Sequence, residues 1–305
     1  MLLKLYLGPV RGAFLLLTPA CVVLGGICAW FAVSPDLRPG LWLDGGLAFL
    51  AALAAHVSVN ALNEYMDFKS GLDALTQRTP FSGGSGTLPA HPMLAGIAWW
   101  TGVLALLLSC GIGLYFLLHW PQAWSQLAVL GLLGVLLVVG YTPWITRNPW
   151  VCLVAPGLGF GPLMVAGTQL ALIGHYNSQG WVAALVPFFL VNNLLLFNQF
   201  PDVEADRTVG RSTLPILLGR RRCVHVLGVQ WLAAYGVLIG SVVSGVLPSG
   251  VLAGLVTAPL ALLAARGAWQ HADDIPRLLP FLGLNVAVTL ATPVLMALGW
   301  WGWPA

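Results

Sequence analysis

The chain has 305 residues, of which 58% are hydrophobic and only 8% charged, and its formal net charge is +3. A soluble domain carries about 25% charged residues, so this composition excludes a soluble globular protein and points to an integral membrane protein. No basic run lies on a soluble domain, which leaves no place for nucleic acid, and the five cysteines show neither paired nor metal-type spacing.

A spanning helix needs about 20 apolar residues, and charge-free windows supply them in order. Gly12 to Pro35 holds one and Gly45 to Asn63 a second. Thr79 to Thr146 holds two, broken near His119-Trp120-Pro121-Gln122, and Asn148 to Pro201 two more, broken around Gly174 to Gly180. Cys223 to Ala265 holds two, broken at Leu247-Pro248-Ser249-Gly250, and Leu278 to Trp303 the last. The first apolar stretch is too long for a signal-peptide core and lacks a cleavage site, so it is expected to be the first span. The expected fold is all-α, a bundle of nine transmembrane helices around a central cavity, forming one membrane domain over residues 1–305.

The basic residues orient this bundle. With the N-terminus in the cytoplasm, Lys4, Arg11, Lys69, Arg78, Arg147, Arg207, Arg211, Arg220, Arg221, Arg222, Arg266 and Arg277 all face the cytoplasm, and only Arg38 faces the other side. Trp300, Trp301 and Trp303 at the far end suit an interfacial aromatic anchor.

Two cytoplasmic connections carry acidic residues. After the second span come Asn60, Asn63, Glu64 and Asp67, recurring every three to four residues as a stripe on the last helical turns. Gly71 is expected to end that helix and let Asp73 fold back towards the stripe. After the sixth span come Asn198, Asp202 and Asp206, spaced by four and therefore expected on one helix face. Carboxylates at the end of a charge-free run are costly in a bilayer and suspect as a functional site, although acids at a membrane boundary can also be simply solvated. Both spans are even-numbered, so the two clusters emerge on one face and can close over a single cavity.

Facing carboxylates repel unless cations sit between them. Mg²⁺ takes oxygen ligands and commonly combines one or two carboxylates with substrate phosphate oxygens. The two clusters therefore predict Mg²⁺ bridging to a diphosphate, with Lys69, Arg78, Arg207 and Arg211 adding positive charge. Gly83-Gly84-Ser85-Gly86 either lets backbone N–H groups approach an anion or is a flexible loop. Tyr141 and Arg147, near the same face, either stand against the diphosphate or an allylic carbocation, or serve as an interfacial anchor and a topology charge. His56, Asn192 and Asn193 could touch substrate or hydrogen-bond a neighbouring helix. A diphosphate at the mouth of an apolar bundle suits a substrate with a polar head and a long lipid tail, which is the shape of polyprenyl diphosphate. Loss of its diphosphate leaves an allylic carbocation that an electron-rich ring can attack.

The pair Asn63-x3-Asp67-x5-Asp73 and Asn198-x3-Asp202-x3-Asp206 resembles the two signatures of the UbiA superfamily of intramembrane prenyltransferases. The stretches NALNEYMDFKSGLD and DVEADRTVGRSTLPILLGR are most similar to the branch that contains 1,4-dihydroxy-2-naphthoate prenyltransferase. The resemblance implies Mg²⁺-dependent transfer of a polyprenyl group to an aromatic acceptor, in menaquinone-like quinone biosynthesis, from the cytoplasmic side of a bacterial inner membrane. It implies that Asn63, Asp67, Asp73, Asn198, Asp202 and Asp206 hold Mg²⁺ and diphosphate, the four aspartates being the catalytic set, with Lys69, Arg78 and Arg211 assisting. Two positions depart from the pattern: Glu64 stands where this branch usually has Asp, and Phe160 stands where a related segment has Glu. Acceptors of the 4-hydroxybenzoate, haem or chlorophyll type remain open. A cation transporter is the alternative from another class, but it calls for ionisable residues at mid-membrane, where only His56 occurs.

Overall fold

A computed structural model describes residues 8–12 and 14–303, so Lys4 lies outside the described residues. Among these, nine helices are long and apolar enough to cross a membrane: α1 Phe14–Ala32, α2 Arg38–Ser70, α3 Pro92–His119, α4 Pro121–Gly140, α5 Pro149–Ile173, α6 Ser178–Asn198, α7 Arg220–Val243, α8 Ser249–His271 and α9 Ile275–Gly302. Their number and breaks agree with the charge-free windows, and the chain is an integral, multi-pass membrane protein.

The breaks have local causes. Proline opens α3, α4 and α5 at the first turn, where a missing N–H costs nothing. Asn148 and Asn177 cap α5 and α6, accepting hydrogen bonds from the first-turn amides of Trp150, Val151 and Gly180. Gly71 ends α2 in the left-handed conformation (φ 79°), as its position in the sequence predicts.

The central helix is α6, with 67% of its apolar window buried, against 17% for α3 and for α4. Lipid tails remove the hydrophobic drive between helices, so close packing and interhelical hydrogen bonds must hold the bundle. Gly157 and Gly161 supply the packing: a Cβ on either would lie 2.3 Å from the Phe188 carbonyl oxygen or 2.4 Å from that of Ala184 on α6. The Gly157 amide donates to Asn192 Oδ1 (2.7 Å), Asn193 Nδ2 donates to the Leu227 carbonyl (2.9 Å), and Gln230 donates to Asn193 (3.1 Å). Asn192 and Asn193 are thus interhelical ties. Two prolines inside α5, Pro156 and Pro162, each remove a backbone donor, and residues Gly159–Ala166 wind as a π-helix.

Connections 71–91, 141–148 and 199–219 meet at one end of the bundle, together with Gly8–Gly12. Asn60 donates to the Val10 carbonyl, Asn63 to Thr142 Oγ1, and the Ser212 amide to the Thr146 carbonyl, each at 2.9 Å. At the other end Arg38 lies over the Trp30 ring (5.2 Å) and donates to the Trp30 carbonyl. Trp300 is not an interfacial anchor: it is 1% exposed and stacks on Phe31, whereas Trp301 and Trp303 are exposed.

The α5–α6 contact yields a test of the packing. Gly157→Leu is expected to lower the thermal midpoint and the yield of monodisperse protein, while Gly228→Leu, whose Cβ meets nothing within 4 Å, leaves both unchanged. Thermal unfolding and size-exclusion chromatography in detergent read the difference.

Candidate active site

A cavity of about 600 Å³ opens among α1, α2, α3, α4, α5 and α6 beneath the converging connections. Its head is polar, formed by Arg11, Asn60, Asn63, Asp67, Asp73, Ser82, Asn198, Asp202, Asp206 and Arg211. Its body is apolar, walled by residues such as Phe14, Leu17, Ala51, Phe116, Leu163 and Met164.

On α2 the side chains of Asn60, Asn63 and Asp67 line the head as the stripe predicts, and the short helix Leu72–Leu75 beyond Gly71 brings Asp73 to the same space. The second cluster arrives differently from expectation. α6 ends at Asn198, the chain turns through Gln199 to Asp202, and a new short helix runs Val203–Thr208. Pro201 has no N–H and disfavours helical backbone at the residue before it, which favours a break at this point. The Asp206 amide still donates to the Asp202 carbonyl (2.8 Å), which keeps Asn198, Asp202 and Asp206 along the cavity despite the break.

Arg211 joins the two clusters. Its Nη1 donates to Asp206 Oδ1 (3.0 Å) and its Nη2 to Asp67 Oδ1, with all three side chains largely buried. Three acceptor oxygens of the head, Asp73 Oδ2, Asn198 Oδ1 and Asp202 Oδ1, are buried without a hydrogen-bond partner among the described residues. Burial followed by the nearby charges of Glu64 and Asp67 pushes the Asp73 carboxyl up to about 7, and burial followed by Asp206 pushes Asp202 up to about 7. Burial also raises Asp206, with Arg211 opposing it.

Four residues expected at the diphosphate do not line the cavity. Lys69 is exposed and its Nζ lies 5.8 Å from the Tyr65 ring, because two residues beyond Asp67 is about 200° round the helix. Arg207, next to Asp206, turns outward to Glu204 (3.7 Å). Arg147 is exposed beside the buried Thr146, which takes the inward position of that turn. Arg78 is exposed and donates to the Ser85 carbonyl (3.2 Å), tying the glycine-rich loop rather than facing the cavity. Tyr141 and Arg211 do line it, and burial raises the Tyr141 phenol, so its hydroxyl stays protonated.

Arg11, which the sequence marks only as a topology charge, lines the head, and its Nε donates to Glu64 Oε2 (3.2 Å). The recoverable signal was its position, immediately before the first span and on the face that carries both clusters. His56 lies deeper on the cavity wall, where its Nδ1 meets Thr18 Oγ1 (2.8 Å) and its ring meets Phe160 edge-on (4.8 Å).

The arrangement can hold an anionic head with cations around it. Among the described residues no three His, Cys, Asp or Glu side chains form a protein-only metal site. Hard oxygens with open lone pairs, supplied from two sides, instead suit a cation that takes part of its ligands from a phosphate-bearing substrate.

The model of the UbiA prenyltransferase family matches residues 19–288. The chain belongs to the UbiA prenyltransferase family. As a member it is an enzyme, a prenyltransferase. It is 28% identical over 263 residues to the 1,4-dihydroxy-2-naphthoate octaprenyltransferase of Bacillus subtilis (strain 168), covering 82% of this chain and 77% of that one. Its fold is similar to that of a UbiA homologue from Aeropyrum pernix K1 (TM-score 0.66, 17% identity, 94% and 96% of the two chains). It is also similar to that of a UbiA homologue from Archaeoglobus fulgidus bound to DMAPP and Mg²⁺ (TM-score 0.53, 15% identity, 96% and 98%). The all-α bundle of spanning helices is thus the family's architecture.

Two outcomes test the electrostatics of this UbiA-family site. The raised carboxyls of Asp73 and Asp202 hold protons that the unfolded chain has released. Their contribution to stability is therefore complete below the ordinary 3.8 and lost as pH rises through about 7. In chelator-treated protein the thermal midpoint is expected to fall over that window, and Asp73→Asn/Asp202→Asn is expected to flatten the dependence. Arg211→Met leaves Asp67 and Asp206 without their counter-charge and is expected to destabilise by about 3 kcal/mol, measured by thermal unfolding against wild type.

Proposed function

We propose that this enzyme transfers a polyprenyl group from polyprenyl diphosphate to an aromatic acceptor in quinone biosynthesis of the menaquinone type, with Mg²⁺ held between its two motifs. The observation that carries this reading is the set of unpartnered acceptor oxygens on Asp73, Asn198 and Asp202, which cap a cavity whose lining becomes predominantly apolar below them. An unmet buried acceptor costs about 1–3 kcal/mol, so the head is built to receive charge, and the body to receive hydrocarbon. The similarity to a naphthoate octaprenyltransferase supports the acceptor class, and the Archaeoglobus fulgidus homologue bound to DMAPP and Mg²⁺ supports the donor class and the metal.

Asp67, Asp73 and Asn63 from the first motif, and Asn198, Asp202 and Asp206 from the second, would hold the metal. Bound there, Mg²⁺ supplies neutralisation of the diphosphate and of the charge that builds on it. The chain's own residues do the rest. Arg211 and Arg11 line the head and oppose the negative charge that grows on the bridging oxygen as the allylic C–O bond breaks. The electron pair leaves with the diphosphate, and a ring carbon of the acceptor closes the new C–C bond to the allylic carbon. Tyr141, neutral and lining the cavity, supplies an aromatic ring that can stabilise the developing carbocation. The apolar wall excludes water that would otherwise capture that cation. The ring proton passes to the released diphosphate or to a carboxylate of the head.

The twelve basic residues assigned to one side support a head that opens at the cytoplasmic face, and the similarity to a bacterial octaprenyltransferase supports a bacterial inner membrane. Purified protein incubated with labelled prenyl diphosphate and a panel of aromatic acceptors is expected to give product with dihydroxynaphthoate and to require Mg²⁺. Asp67→Ala and Asp202→Ala are each expected to cut kcat/KM by roughly a hundredfold or more while the protein still folds. Product that is independent of Mg²⁺, or full activity in both variants, would remove the proposed metal site.

A further inference from the structure

Glu64 is completely buried, with 0% side-chain exposure, yet it does not line the cavity. It stands behind the head, and its carboxylate is already occupied. Oε1 accepts from the Ser85 amide (2.7 Å) and from Ser85 Oγ, and Oε2 accepts from Arg11 Nε (3.2 Å). Three separate stretches of chain therefore meet on one side chain: the segment before α1, the last turns of α2, and the glycine-rich loop.

Each partner is under local constraint. Arg11 adopts φ 51°, the one positive-φ residue other than glycine among those described, and such strained backbone persists only where its surroundings impose it. Ser85 sits between Gly84 and Gly86, both left-handed at φ 70°. A Cβ on Gly84 would lie 2.8 Å from Asp73 Oδ1, so this loop is pressed against a carboxylate of the head. Arg11 and the loop's Ser82, Gly83 and Gly84 line the cavity, while Glu64, which holds both, does not.

We propose that Glu64 is a positioning residue that fastens the pre-α1 segment and the 82–86 loop to α2, so that Arg11 and the loop backbone are presented to the diphosphate of the substrate. The identity of that ligand rests on the prenyl diphosphate reading; the fastening does not. A buried carboxylate paired with a guanidinium and two further donors keeps one geometry. With its charge already balanced by Arg11, Glu64 serves the head without being a metal ligand.

The test compares wild type with Glu64→Gln, Glu64→Ala and Ser85→Ala in lipid nanodiscs, by two readouts. Tryptic cleavage after Arg78, at the base of the loop, is expected to accelerate at least several-fold in both Glu64 variants and less in Ser85→Ala. In turnover, kcat/KM for prenyl diphosphate is expected to fall roughly tenfold or more in Glu64→Gln, mostly through KM, with the Mg²⁺ half-saturation unchanged. A shifted Mg²⁺ half-saturation with kcat lost at unchanged KM would make Glu64 a metal ligand and overturn the proposal. So would unchanged proteolysis together with unchanged KM. Should the Glu64 variants fail to fold, Ser85→Ala carries both readouts alone, because it removes one Glu64 contact and leaves the charge in place. Wild-type protein inert towards every prenyl diphosphate would sink the functional reading, while the proteolysis still decides the fastening.

Discussion

Arg211 reaches between Asp67 and Asp206, and the rest of the site depends on that contact. Asp67 and Arg211 are 144 residues apart, so nothing local brings them together. The first lies on the last turns of α2, and the second follows a broken end of α6. A guanidinium offers a rigid fork of donors, and two carboxylates from different helices can share it at a cost neither could bear alone in a poorly solvated place. The contact also fixes how far apart the two motifs stand, and hence the size of the polar head between them.

Around that contact the molecule separates charge from hydrocarbon along one axis. The ends of α2 and α6, the loop from 76 to 84 and the segment before α1 bring charged and amide groups to a single mouth. Below it the walls are mostly hydrocarbon; the His56 ring there is held by Thr18 and covered by Phe160. Electrostatic effects are strong at the mouth, where water is scarce. The walls below are indifferent to everything but shape. A reaction that must generate a cation and keep water from it is served by both halves at once.

Much of this was legible from residue order alone. Charge-free windows located the spans because a bilayer tolerates few exceptions, and parity put both motifs on one face. The α2 stripe and the turn at Gly71 followed from helical spacing and from the freedom of glycine at positive φ. Other features were hidden because they depend on direction rather than on order. Lys69 and Arg207 lie one or two residues from site aspartates, and the helix carries them round to the outside. Pro201 breaks what spacing by four suggested was one helix. Arg11 and Glu64 meet across 53 residues, and neither spacing nor composition announces the pairing. The choice between substrate contact and interhelical tie at Asn192 and Asn193 likewise required knowing which backbone groups of α5 and α7 lay opposite.

The shallow burial of α3 and α4 has a consequence for how the protein lives in its surroundings. Both helices wall the cavity, yet only 17% of the residues in each apolar window are buried in the protein. Their outer flanks lean on acyl chains, so bilayer thickness and lateral pressure set how firmly this side of the chamber is held shut. The lipid is in that sense a working part of the enclosure, and rates taken in micelles and in bilayers of different thickness describe different enclosures.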